Sequence, residues 1–177
     1  MAQAKPYQPS LLRLLHGAMA VLVPLAWLSG LLVYSQFDGR WGRLPWQPVG
    51  DWIDLHGTVA VALWPLALVF GLYALTLGRA RLNKAANAAS LLALVLAVGS
   101  GKLMQEDWLS DGQLDHLVYS VHLLAWLLLA LAVLWHVGGV LRRGGSPLAQ
   151  SMFALNVHSN DRPQHWPAQL GRWLHRR

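Results

Sequence analysis

Residues 116–141 read HLVYSVHLLAWLLLALAVLWHVGGVL, 26 positions without Asp, Glu, Lys or Arg and with histidine at 116, 122 and 136. A bilayer core about 30 Å thick is crossed by roughly 20 apolar residues in helical form, so this run is long enough to span a membrane. Histidine inside such a span is costly and marks a function by default. His122 and His136 stand 14 residues apart. At about 1.5 Å per residue that separation is about 21 Å along the axis, and at about 3.6 residues per turn both rings leave one helix face within roughly 40°. His116 lies on another face and closer to the water.

Working outward, three more stretches lack Asp, Glu, Lys and Arg: Gly17 to Phe37 (21 residues), Leu55 to Gly78 (24) and Ala85 to Gly101 (17). The third is short and gains length toward Met104, with Lys102 snorkelling to the interface. Four helices, at about 10–35, 52–78, 86–104 and 114–141, joined by short loops, make an all-α membrane protein, a four-helix transmembrane up-and-down bundle. They form one membrane unit over residues 1–143, followed by an interfacial tail over 144–177. That tail holds Pro147, Pro163 and Pro167 with Trp166, Trp173 and closing arginines, and reads as a segment lying on the membrane surface.

Composition agrees. Of 177 residues, 55% are hydrophobic and 12% charged, about half the charged share of a soluble domain. Disorder needs the opposite balance. The absence of cysteine excludes disulfides, thiolate metal sites and covalent attachment of a c-type haem. The +6 net charge is distributed as topology rather than as a nucleic-acid surface. Arg79, Arg81 and Lys84 fill the second loop, and Arg142, Arg143, Arg162, Arg172, Arg176 and Arg177 the tail, whereas Glu106, Asp107, Asp111 and Asp115 crowd the third loop. By the positive-inside rule both termini are cytoplasmic, with the basic tail near anionic headgroups. Trp41, Trp46, Trp52 and Trp108 beside the outer loops fit an aromatic belt. The run after Lys5 and Arg13 is long for a signal sequence and reads as a retained first helix.

Depth then pairs the histidines. His16 opens the first helix at the inner surface, and His56 opens the second at the outer surface. The fourth helix runs inward, with His122 outer and His136 inner. The pairs are His56 with His122 and His16 with His136, two bis-imidazole sites stacked across the bilayer. Zinc sites call for a third or fourth ligand or for thiolates. A macrocycle that brings four in-plane nitrogens leaves two axial positions, which two histidines fill. Without cysteine the group is non-covalent haem b, and with both axial positions taken it is suited to moving electrons. Histidines bonded to carbonyls as packing elements are the competing reading. Gly30 and Gly71 fall at the depths of the outer and inner sites, where a missing side chain lets a flat ring approach the backbone; ordinary helix packing also explains them.

At Arg13-x-x-His16, His56 and the His122/His136 spacing, with no ligand on the third helix, the chain resembles the bacterial di-haem cytochrome b561 family. It is similar too to the cytochrome b subunits of membrane formate dehydrogenases and nickel–iron hydrogenases. The resemblance covers roughly residues 8–143, with Gly17 where the family motif usually has Trp. It implies transmembrane electron transfer through two haems, with quinone or quinol as substrate and a redox protein as partner. Haem propionates need cationic or hydrogen-bonding partners; Arg40 and Arg43 are available outside and Arg13, Arg79, Arg81 and Arg142 inside, while interfacial anchoring also explains each of them. A second copy of the chain is a further candidate partner. The expected location is the bacterial cytoplasmic membrane or a thylakoid-type internal membrane. Two other readings stay open: a membrane-anchor subunit of a larger respiratory oxidoreductase, and a haem-free transport or assembly protein.

Overall fold

The computed structural model describes residues 6–46, 48–105 and 113–174. Four long helices carry it: α1 (Ser10–Phe37), α2 (Trp52–Leu75), α3 (Ala85–Leu103) and α4 (Gln113–Ser151), followed by a short α5 (Trp166–Leu174). Among the described residues there is no strand. Each long helix is long and apolar enough to cross a membrane. Leu14, Leu72, Leu131 and Leu134 are exposed, which in water would be a liability and in lipid is the expected outer face. The acidic third loop with Glu106, Asp107, Trp108 and Asp111, and the closing His175, Arg176 and Arg177, lie outside the described residues.

The helix ends are written in local chemistry. At the end of α1, Asp38 N–H and Gly39 N–H both donate to the Tyr34 carbonyl, at 3.0 and 2.9 Å. Gly39 takes φ +67 there, a left-handed conformation that costs glycine little. The Asp51 carboxylate caps α2 by accepting from Asp54 N–H at 2.9 Å. Pro24 and Pro65 lie inside α1 and α2 and are tolerated as they are in membrane helices generally. Helix α4 extends beyond the expected end near 141, but it is broken at Gly145 (φ 57, ψ −158). Only glycine adopts that conformation readily, and Pro147 follows it.

Helix α1 packs chiefly on α2, and α3 on α4, so the bundle is two hairpins laid side by side. Met19, Leu63, Ala67, Ala93, Leu94, Leu129 and Ala132, drawn from all four helices, form one buried cluster. Leu129 is midway in sequence between His122 and His136, so this apolar layer occupies the middle of the bundle. At one end the chain termini meet; at the other lie the α1–α2 and α3–α4 connections. These are called the termini end and the loop end.

The tail, expected on the membrane surface, is seen to fold back on the start of α1. Pro9 supplies no side-chain cap, and Asp161 does the work instead. Its carboxylate accepts from Ser10 N–H and from Tyr7 Oη, each at 2.6 Å, and from Gln169 Nε2 at 3.1 Å. Trp166 Nε1 donates to Ser10 Oγ at 2.9 Å, and the His158 ring stacks on Tyr7 at 3.7 Å. An anion at a helix N-terminus satisfies a free N–H and meets the positive end of the helix dipole. Burial raises the Asp161 pKa, but the bonds from Tyr7, Gln169 and Ser10 outweigh it and hold it below the ordinary value of 3.8. A depressed carboxyl stabilises above its unfolded pKa and loses that contribution as pH falls through its folded value. Replacing Asp161 with Ala is expected to weaken the attachment by about 1–3 kcal/mol at neutral pH. A lower hydrogen-exchange protection factor at the Ser10 amide is the readout, with the wild type approaching the variant only in strong acid.

Candidate functional site

Four half-buried histidines come from three helices: His16 on α1, His56 on α2, His122 and His136 on α4. They meet in the pairs expected from their depths. His16 and His136 have ring centres 6.2 Å apart at the termini end, with planes at 46°. His56 and His122 are 6.3 Å apart at the loop end, with planes at 71°. A metal–imidazole nitrogen bond is about 2.0–2.1 Å, and that nitrogen lies about 1.1 Å from its ring centre, so two imidazoles on opposite sides of one metal ion have centres roughly 6.2–6.4 Å apart. Both pairs have that spacing. No group of three or more His, Asp or Glu gathers at one point among the described residues, so a metal held here relies on two protein ligands plus a ligand of its own.

The hydrogen bonds decide which ring nitrogen is available. Ser29 Oγ donates to the Ala26 carbonyl at 3.1 Å and lies 3.0 Å from His56 Nδ1. With its one proton committed, the hydroxyl accepts from the ring, so Nδ1 carries hydrogen and Nε2 the lone pair. The same arrangement recurs at His122. Ser100 Oγ donates to the Leu96 carbonyl at 2.6 Å and lies 3.0 Å from His122 Nδ1, which also has the Ala97 carbonyl at 3.1 Å. At His136, Asn87 Nδ2 donates to the Arg81 carbonyl at 2.8 Å, which turns Oδ1 to the ring, 3.0 Å from Nδ1. Three of the four rings are thus held as Nδ1–H tautomers with Nε2 free to bind a metal, the usual arrangement of a metal-bound imidazole. The exception is His16, whose Nδ1 is buried without a partner. These donors fit the axial ligation of haem b.

Gly30 does lie at the loop-end pair, although what it admits is a histidine ring. A Cβ there would sit 3.1 Å from His56 Cε1. Gly101 on α3 has the same relation to His122, also 3.1 Å from Cε1. A Cβ at Gly71 would meet nothing within 4 Å. Arg13 donates to the carbonyls of Ala154 and Asn156, stands over the Tyr7 ring, and keeps a buried Nε without a partner. Arg40 pairs with Asp38 at 2.9 Å, and Asp38 also accepts from Tyr119 Oη at 2.7 Å. The Arg40 hydrogen bond, opposed by burial and aided by Tyr119, holds the Asp38 carboxyl below its ordinary range. His116 is exposed.

Sequence reading missed Ser29, Ser100, Gly101 and Asn87. A signal was present: Ala26-x-x-Ser29-Gly30 on α1 and Ala97-x-x-Ser100-Gly101 on α3 are the same pattern, one in each hairpin. It also missed the Trp27–Trp126 pair, stacked at 4.6 Å and 7°. Each indole N–H of that pair donates to the other residue's carbonyl, at 3.2 and 3.1 Å. This pair braces α1 against α4, one turn inward from His122.

No curated protein and no solved structure matches the chain. A family model described as prokaryotic cytochrome b561 matches residues 7–154, a stretch that holds all four paired histidines. The chain therefore belongs to the prokaryotic cytochrome b561 family, multi-pass membrane cytochromes that bind haem b and carry electrons.

Proposed function

We propose that this protein carries electrons across the bilayer between two b-type haems, one held by His56 and His122 and the other by His16 and His136, and that it exchanges them with quinone or quinol. The observation that carries the proposal is the pair of 6.2 and 6.3 Å imidazole separations, about 21 Å apart along α4 by helical rise. Haem b, when bound, supplies a one-electron couple at each site. The chain does the rest. The two histidines of each pair would hold the haem between them and leave oxygen no open coordination site. The Met19–Leu129 layer keeps water and ions from the space between the pairs. Arg40, shared with Asp38, and Arg13, with its partnerless Nε, would meet propionates at the two ends.

By its loop charges the termini end faces the cytoplasm, with residues 144–177 as the cytoplasmic tail and the bacterial cytoplasmic membrane as the location. The anchor-subunit reading, in which a soluble catalytic chain feeds these haems, uses the same sites and differs in partner; a large subunit copurifying in mild detergent would favour it. The haem-free reading does not fit a chain of this family.

The test is a vesicle assay. Holoprotein is inserted into vesicles with ferricyanide trapped inside, and a quinol is added outside. Reduction of the trapped ferricyanide, lost in His122→Ala and in His136→Ala, is the expected result. No reduction by a protein that carries both haems would contradict transmembrane transfer from quinol.

A further inference from the structure

The two histidine pairs are unequally supported, and the difference has a chemical consequence. At the loop end both rings have an acceptor at Nδ1: Ser29 Oγ for His56, and Ser100 Oγ with the Ala97 carbonyl for His122. At the termini end His136 has Asn87 Oδ1, while His16 Nδ1 is buried and has none. An imidazole whose N–H is donated to an acceptor becomes a more basic ligand through its other nitrogen. A more electron-rich ligand favours the ferric state and lowers the reduction potential, hydrogen bonding to the ligand being one of the protein's levers on it.

Each serine is a better acceptor than a free hydroxyl would be. Its own proton is given to a carbonyl of the same helix, Ala26 for Ser29 and Leu96 for Ser100, and hydrogen bonds in such a chain strengthen one another. The glycine after each serine is part of the device. A Cβ at Gly30 would stand 3.1 Å from His56 Cε1 and one at Gly101 3.1 Å from His122 Cε1, so a side chain at either position would push the ring from its serine. Two hairpins thus present one Ala-x-x-Ser-Gly cradle each to the same site, and none to the other.

We infer that Ser29 and Ser100 are positioning residues that act through His56 and His122 to make the loop-end haem the lower-potential one of the two. The inference rests on the proposed function, in that both pairs must bind haem.

A redox titration of the purified holoprotein, followed in the haem absorption bands, is the test. His122→Ala, which keeps only the termini-end haem, assigns the two midpoints. The lower midpoint should belong to the haem that this variant loses. Ser29→Ala and Ser100→Ala should each shift that midpoint upward, further in the double variant, and leave the other midpoint in place. Ser29→Thr and Ser100→Thr, which keep the hydroxyl, should stay nearer the wild type. A lower midpoint that survives in His122→Ala would overturn the inference, as would alanine variants with both haems bound and both midpoints unmoved. If an alanine variant loses the loop-end haem altogether, the assignment of midpoints in the wild type decides alone. A wild-type protein that binds no haem would instead overturn the proposed function, and the inference with it.

Discussion

The His122→Ala protein is expected to hold one haem in place of two. His122 pairs with His56 alone, 6.3 Å away, while the other pair lies about four turns of α4 distant. Losing an outer-shell partner of a metal ligand costs roughly 10- to 100-fold in affinity, so loss of the ligand itself should exceed about 100-fold and empty the site at micromolar protein. His136→Ala should lose the other haem and leave the first. His116→Ala serves as the control, because that side chain is exposed and outside both pairs. Haem per chain, measured on each purified variant, reads the result. If either paired variant lost both haems or neither, the two sites would not be independent bis-histidine centres.

Gly101→Val is the second large effect. A Cβ at 101 already stands 3.1 Å from His122 Cε1, so alanine forces the ring to move by a few tenths of an ångström. Valine adds two methyl groups on the same side and drives the ring away from Ser100. Overpacking of this kind costs about 1–3 kcal/mol, and the same argument holds for Gly30→Val against His56. Both valine variants should lose the loop-end haem or bind it weakly, with the alanine variants intermediate. Gly171→Ala, in the tail helix α5, where a Cβ meets nothing within 4 Å, should keep both haems. Titration of each apoprotein with haemin separates these outcomes. Full loop-end binding in Gly101→Val would show that the close approach of α3 to His122 is not needed.

Much of this was legible in the residues, because membrane-depth arguments use only position along a helix. Uncharged runs located four spans, and short connections made successive helices run in opposite directions. Depth alone then paired His16 with His136 and His56 with His122, pairs that the structure brings to 6.2 and 6.3 Å. Rotation about each helix axis was not legible. Whether Ser29 faces His56, or Ser100 faces His122, depends on how the hairpins are turned, and a serine in a membrane helix more often bonds only its own backbone. Both of these do so and reach the histidine as well. Gly30 was placed at the right depth for a related reason, with a histidine ring as the group it admits. The tail exposed a different limit. Nothing local in the sequence links Asp161 to Ser10 across the whole bundle, and only the fold back of the chain brings them to 2.6 Å.

The most direct test of the central claim is the haem-to-chain ratio of the purified protein. It is taken from the pyridine adduct, alongside a dithionite-reduced minus oxidised spectrum. Two non-covalent b-type haems per chain, both low-spin in the ferric state as bis-histidine ligation requires, is the result this account predicts. One haem per chain, or a high-spin signal from either site in protein made with ample haem, would contradict it.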